Sequence, residues 1–207
     1  MRMRLFLFAA LAAGVLAQTE HQQHPPRDAA EYVRVLEDPK RDGWQLPHQV
    51  IAALDLHPGE VVADIGAGSG YFTRRLALQA GKVYAVDIDA ALLDVLKRNV
   101  PANVVPVLAA PDDPKLPPAS VDLVFFCDVL HHIGNRPAYF EKLKKALKPG
   151  GRVVNIDFYK KPLPVGPPPS MKLSGQEVIA ELRKAGFTLT KQLDILPYQY
   201  YLFFQKR

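Results

Sequence analysis

A single cysteine, Cys127, stands in 207 residues. One thiol excludes an intrachain disulfide and a cysteine zinc cluster, and its place at the end of an apolar run marks it as a buried side chain. The apolar run from Leu5 to Ala17 has 13 residues, against about 20 for a helical membrane span. Runs of Lys and Arg interleaved with aromatics are missing as well. Lys142, Lys144, Lys145 and Lys148 fall on a helical pattern and read as its solvated side. The net charge of +5 drops to +3 once Arg2 and Arg4 of the first 17 residues are set aside, which gives no ground for a nucleic-acid partner. No internal repeat is present. The apolar share, 48%, is ordinary for a globular chain, and the length suits one domain with a real core.

Residues 1–17 combine a basic start (Arg2, Arg4), an apolar stretch and the small-residue pattern Val15-Leu16-Ala17. This is the pattern of a signal peptide, with cleavage expected before Gln18. No cysteine follows it, so a lipid anchor is excluded, and no stable membrane span is expected after cleavage. Residues 18–27 are polar and carry prolines, and read as a flexible linker. His21 and His24 in it are not expected to hold a metal. The chain is therefore expected to be exported, to the periplasm or beyond, and cytoplasmic if the leader is misread.

The densest signal is Val61-Val62-Ala63-Asp64-Ile65-Gly66-Ala67-Gly68-Ser69-Gly70, with Asp87 lying 17 residues beyond Gly70 in Val83-Tyr84-Ala85-Val86-Asp87-Ile88. An apolar strand ends in an acid, three alternate glycines follow, and Phe72, Leu76 and Ala80 then share a helical face, with Gly81 in the place of a C-terminal cap. Glycines allow a tight turn and let a ligand lie against bare backbone. An acid closing the next strand is placed to accept from ribose hydroxyls. A dinucleotide fingerprint needs its third glycine at position 71, where Tyr71 stands. The Asp64 carboxylate would repel a pyrophosphate and favour a ligand bearing an ammonium and a sulfonium.

The spacing Asp64-x-Gly66-x-Gly68-x-Gly70 resembles the first motif of the class I S-adenosylmethionine-dependent methyltransferases. Asp87, the strand Val121–Phe126 leading to Cys127-Asp128-Val129-Leu130-His131-His132-Ile133, and Leu147-Lys148-Pro149-Gly150-Gly151-Arg152 follow in the order of that family. The resemblance covers roughly residues 45–204 and is nearest to the small-molecule methyltransferases. Val165-Gly166-Pro167-Pro168-Pro169 and Pro197-Tyr198-Gln199-Tyr200 also look like an exported bacterial subgroup. The three cysteines of arsenic-methylating members are absent, which disfavours that substrate. The resemblance implies an α/β fold for residues 28–207: a doubly wound, Rossmann-like seven-stranded sheet with an antiparallel C-terminal strand. It implies S-adenosylmethionine as cofactor and a small-molecule methyl acceptor. It says nothing of oligomeric state.

Along the chain, Asp28-Ala29-Ala30-Glu31 reads as a capping box opening a short helix, and Trp44 to Leu54 as a second helix. Trp44 and His48 suit either a lid or a packing anchor. A helix is expected over residues 90–99, strands at 103–108, 121–126 and 153–158, and a helix from Pro137 to Leu147 ended by Pro149-Gly150-Gly151. Residues 162–169 hold five prolines and are too stiff for core. Ser174-Gly175-Gln176-Glu177 is another capping box, and its helix ends at Gly186. Strands over 187–196 and 198–205 are joined too tightly at Pro197 to be parallel neighbours.

By the resemblance, Asp64, Gly66, Ala67, Gly68 and Gly70 hold the methionine portion, Asp87 and Ile88 the nucleoside, Asp112 the adenine, and Asp128 lies beside the methyl. His131, His132 and Asp128 are the catalytic candidates. A neutral histidine can take a proton from an acceptor, while the plain alternative is that one of the pair packs and the other is solvated. Tyr159, Tyr198 and Tyr200 are weaker candidates for the acceptor end. No metal site is expected. The competing functional reading is a non-catalytic exported protein that keeps the nucleoside pocket.

Overall fold

The computed structural model describes residues 28–207, and the expected signal peptide (1–17) and linker (18–27) lie outside the described residues. The apolar runs become strands and the 3.6-periodic segments become helices. In chain order these are α1 (Ala29–Leu36), α2 (Asp42–Gln45), α3 (Pro47–Ala53), β1 (Val61–Ile65), α4 (Tyr71–Ala77), β2 (Lys82–Asp87), α5 (Ala90–Lys97), β3 (Val104–Leu108) and β4 (Val121–Cys127). Then follow α6 (Arg136–Ala146), β5 (Leu147–Phe158), α7 (Gly175–Lys184), β6 (Phe187–Leu193) and β7 (Gln199–Lys206). The sheet order is β3-β2-β1-β4-β5-β7-β6. Its first five strands are parallel, and β7 runs antiparallel between β5 and β6. The expected seven-stranded α/β sheet with an antiparallel C-terminal strand is therefore the fold.

Both faces are covered. Val62, Ala85, Phe125 and Ile156 point to the layer of α3, α4 and α5, where Val50, Phe72, Leu76 and Leu96 meet them. Ala63, Phe126, Val153 and Leu202 point to α6 and α7 and pack on Phe140, Leu143, Val178 and Leu182. Strands covered on both faces read as unbroken apolar runs, which is why β4 was so legible. The order reverses between β1 and β4, and the crevice over their carboxyl ends is where open α/β sheets bind ligands.

Four local expectations need correction. Asp28 caps α1 through the Ala30 amide alone, without the reciprocal Glu31 bond of a capping box. The helix expected over 44–54 is broken: Leu46 adopts a left-handed conformation (φ 46°), and Pro47, which has no amide to donate to α2, opens a new helix. Gly81 is not a left-handed cap. It is small because a Cβ there would stand 2.7 Å from the Pro58 carbonyl oxygen, and its amide bonds Glu60 O. Pro149-Gly150-Gly151 does not end α6 outside the sheet. Leu147 already pairs with Val121, and residues 148–151 bulge before Arg152 resumes pairing with Leu123. Ser174 and Glu177 do form the expected capping box. Among the described residues, no helix is long and apolar enough to cross a membrane.

Gly81→Ala drives a methyl group into backbone and should lower stability by about 1–3 kcal/mol. Urea unfolding checks this, and an unshifted midpoint would mean that the Pro58-Gly59 turn yields freely.

Candidate functional site

β1 ends in a loop whose glycines are all left-handed: Gly66, Gly68 and Gly70 have φ of 73°, 56° and 95°. The turn rests on the end of β2, where Val86 O accepts from the amides of Gly66 and Ala67. A Cβ on Gly66 would fall 2.2 Å from Val129 Cγ2, so this position has neither the conformation nor the space for a side chain. Asp87 binds the loop from the side, its Oδ2 accepting the Gly68 amide at 2.7 Å and its Oδ1 the Asp89 amide at 2.9 Å. Asp64 is buried and accepts the Thr73 hydroxyl at 2.6 Å. Burial pushes Asp64 up to about 7 against the pull of that hydroxyl. Burial also raises Asp87, although the two amides oppose it. Among the described residues, neither carboxylate has an ion-pair partner. Ile88 (58% exposed), next to Asp87 in the chain, and Leu108 (50%), the ladder partner of Asp87, present apolar surface to solvent.

The segment from α1 to α2 straps over this loop. A Cβ on Gly68 would meet Leu36 Cδ1 at 3.1 Å. Glu37 accepts the Ser69 hydroxyl and the Arg74 guanidinium, each at 2.6 Å. Arg41 lies over the Tyr71 ring at 4.1 Å, Tyr71 donates to Asp42, and Arg41 Nη1 donates to Leu36 O at 3.1 Å. A closed polar ring then ties the strap to the sheet. Arg41 donates to Gln45 (3.3 Å), Gln45 to Gln199 (2.8 Å) and Gln199 to Asp128 (2.6 Å), while Asp128 faces Arg41 at 3.9 Å. Asp128 is left-handed (φ 61°), and burial with the Asp157 charge pushes its carboxyl up to about 7.

His131 and His132 share the 3-10 turn after β4 and meet as tilted rings 4.1 Å apart between centres, but their surroundings differ. His132 is exposed. The His131 ring is 2% exposed, with Nδ1 2.9 Å from both oxygens of the fully buried Asp157 at the end of β5. Trp44 packs on Phe158 (5.7 Å) and Tyr198 (6.4 Å), so it anchors the strap, whereas His48 is exposed. Tyr200 is buried and donates to Leu173 O, away from any open surface.

Asp64, the glycines, Ala67, Asp87, Ile88 and Asp128 thus converge on one crevice, with His131 at its β5 side. Asp112 stands apart: its side chain is 70% exposed and faces Lys142. Asp113 instead acts on Tyr139, which also feels Asp87. Thr73, Arg41, Gln45, Gln199 and the pairing of Asp157 were not legible as site residues, because nothing in their types or local spacing distinguishes them. Cys127 is buried, and burial pushes its thiol well above the usual value. Among the described residues, no group of three or more His, Cys, Asp or Glu is placed to hold a metal ion.

Residues 63–155 match the family model of a methyltransferase domain. The fold superposes on the crystal structure of an S-adenosylmethionine-dependent methyltransferase from Aquifex aeolicus with a TM-score of 0.81 and 25% identity, covering 88% of this chain and 100% of that one. The chain is 32% identical over 98 residues to a malonyl-[acyl-carrier protein] O-methyltransferase of Serratia marcescens, covering 47% of this chain and 38% of the relative. It is 26% identical over 161 residues to a demethylmenaquinone methyltransferase of Symbiobacterium thermophilum, covering 68% and 64%. Several curated relatives are matched over half of their length or less.

Arg41 joins three parts of the strap's attachment, so Arg41→Ala should cost about 1–2 kcal/mol. Hydrogen exchange should quicken across residues 29–46 and stay slow in β1 and β4. Uniform quickening, or none, would show that the strap is held by other contacts.

Proposed function

We propose, from the premise that this chain carries a class I S-adenosylmethionine-dependent methyltransferase domain, that the whole protein moves a methyl group to a small-molecule acceptor. The observation that carries this reading is the pair Asp64 and Asp87, buried beside left-handed glycines and in no ion pair among the described residues, with only a weak pull from Arg41 on Asp64. A buried carboxylate without a counter-charge suits a cationic ligand, because its desolvation is offset only when positive charge arrives. In our reading Asp64, Gly66, Ala67, Gly68 and Gly70 surround the methionine portion. Asp87 takes the ribose hydroxyls, and Ile88 with Leu108 forms the apolar seat of the base. Asp113, which shares Tyr139 with Asp87, is nearer the adenine end than Asp112, and Asp128 stands nearest the methyl.

The cofactor, when bound, supplies a methyl carbon activated by its attachment to a sulfonium. The chain's part is alignment and exclusion of water. Leu36, Arg41 and Trp44 cover the crevice, Asp128 and Gln199 hold the strap to the sheet, and His131 and His132 stand where an acceptor's proton would leave. The basic, apolar and small-residue pattern of residues 1–17 supports export, with residues 18–27 as a linker.

Calorimetry with S-adenosylmethionine tests the pocket. Since the acid near 7 must ionise to meet a cation, binding should release a proton, and affinity should rise by up to about tenfold per pH unit as the pH climbs towards 7. Asp87→Ala should weaken binding by about 1–3 kcal/mol, and Asp87→Asn by less. Affinity independent of pH and unchanged in a folded Asp87→Ala protein would remove both acids from the site.

Export is tested by mass spectrometry of the protein from its native host, which should find a chain starting near Gln18. An intact Met1 in the cytosolic fraction would overturn it.

A further inference from the structure

His131, the buried member of the adjacent histidines, has an acid behind it. Asp157 is fully buried, its Oδ1 also accepts the Phe158 amide at 2.9 Å, and both its oxygens lie 2.9 Å from His131 Nδ1. A carboxylate can only accept from this nitrogen, so Nδ1 carries the hydrogen, and in the neutral ring the lone pair is on Nε2. The ring is buried and held by Asp157, with the tilted His132 ring against it at 4.1 Å. The acid is equally immobile, since its strand is paired on both sides, Asp157 itself with Tyr200 of β7. His132, by contrast, is exposed.

We propose that Asp157 is the positioning residue that holds His131 with Nε2 as a proton acceptor, and that the methyl acceptor is a weakly acidic hydroxyl compound of the phenol or enol class. This rests on the methyl-transfer reading above. The chemistry selects the acceptor class. A phenolic hydroxyl ionises near 10, so only about one molecule in a thousand is nucleophilic at neutral pH and a base is needed. A thiol is already partly ionised and an arylamine has its lone pair free, whereas an alkylamine would bring an ammonium charge beside the protonatable His131 and Lys172. In the step itself, the hydroxyl proton passes to His131 Nε2 while an oxygen lone pair forms the bond to the methyl carbon. The carbon–sulfur bond breaks with its electrons going to sulfur, and the imidazolium later returns its proton to water. Four charged or titratable groups face His131: Asp157 from β5, Asp128 after β4, Lys172 from the segment before α7, and His132 from its own turn. Burial pulls the imidazole down, but the hydrogen bond and charge of Asp157, helped by Asp128, more than offset it and leave His131 above its usual value.

The test uses the full chain labelled with nitrogen-15, with His131 assigned by its loss in His131→Asn. Long-range proton–nitrogen spectra should show the Nδ1–H tautomer. The His131 titration should fall by about one pH unit or more in Asp157→Asn, and recover in part in Asp157→Glu. The other tautomer in the wild-type protein, or a titration unmoved by Asp157→Asn, overturns the pairing; the wild-type tautomer decides it even if the Asn variant does not fold. The second arm measures S-adenosylhomocysteine release with phenol and with 4-nitrophenol, a much stronger acid that is largely ionised at about pH 8. The phenol to nitrophenol rate ratio should drop by about 10²-fold in His131→Asn and in Asp157→Asn, and stay constant in His132→Asn. An unchanged ratio overturns the base role. Cofactor binding with no turnover of either phenol overturns the acceptor class, whereas failure to bind the cofactor at all overturns the reading on which it rests.

Discussion

Asp87 receives the Gly68 amide on one carboxylate oxygen and the Asp89 amide on the other, so a single side chain joins the loop after β1 to the turn after β2. The same turn is fixed from below, where Val86 O accepts the amides of Gly66 and Ala67 and Asp87 O accepts the Ala109 amide. These bonds leave no slack at Gly66, whose missing side chain is replaced by Val129 from the β4 connection. The carboxyl ends of β1, β2 and β4 are thereby held in one relative position before any ligand arrives. Preorganised groups of this kind need no rearrangement to meet charge, which is where much of an enzyme's advantage over water lies. The sheet below can be rebuilt from many apolar residues, but this turn cannot, because it needs left-handed backbone and close contact at once.

The strap depends on that turn for its footing. Leu36 rests on Gly68, Glu37 bonds Ser69, and Arg41 sits on the ring of Tyr71, the first residue of α4. Its far side reaches Asp128 and Gln199, which belong to the ends of β4 and β7. Few of these contacts are apolar burial, and most are single polar bonds or stacking at partly exposed positions. Such attachments open at lower cost than a core helix. The segment most directly over the crevice is therefore also the segment most easily lifted, which is what access to a closed site requires.

The sequence was most legible where one local constraint decided the structure. The glycine spacing, the acid closing β2, the double-sided strands and the Ser174 capping box are each readable within about ten residues, and each has the local structure expected of it. Legibility failed where a competing constraint came from elsewhere. Apolar periodicity ran through Leu46 as though no break existed, because the pattern does not register a missing proline amide. Gly81 has the place of a cap but answers to the backbone of a turn more than twenty residues earlier. In the site, the candidates were found but not their partners. Gln45 and Gln199 are 154 positions apart, Asp128 and Gln199 71 apart, and His131 and Asp157 26 apart. Such pairings depend on strand order. With β5 between β4 and β7, the end of β5 must face the turn that carries His131, and only the folded sheet makes that neighbourhood visible.

Three acids, Asp64, Asp128 and Asp157, gather over the ends of β1, β4 and β5, with Arg41, His131 and Lys172 as the cationic or protonatable groups nearby. For Asp64 and Asp128 the cost is definite in sign. Both are pushed up to about 7, so the folded chain holds protons there that the unfolded chain has released. Their contribution to stability is full below the ordinary carboxylate value and is lost as the pH rises through about 7. At neutral pH the fold thus carries acids that apolar residues of similar size would replace at a gain. Stability gives no reason for such an arrangement, and its position at the switch point of the sheet gives a functional one. A ligand with its own positive charge removes the penalty at Asp64 on arrival, while the acid at Asp157 already has its proton donor in His131. The first acid is poised for something that comes and goes. The second is committed to a permanent neighbour, and in the proposed reading that difference separates the acid that binds from the acid that positions.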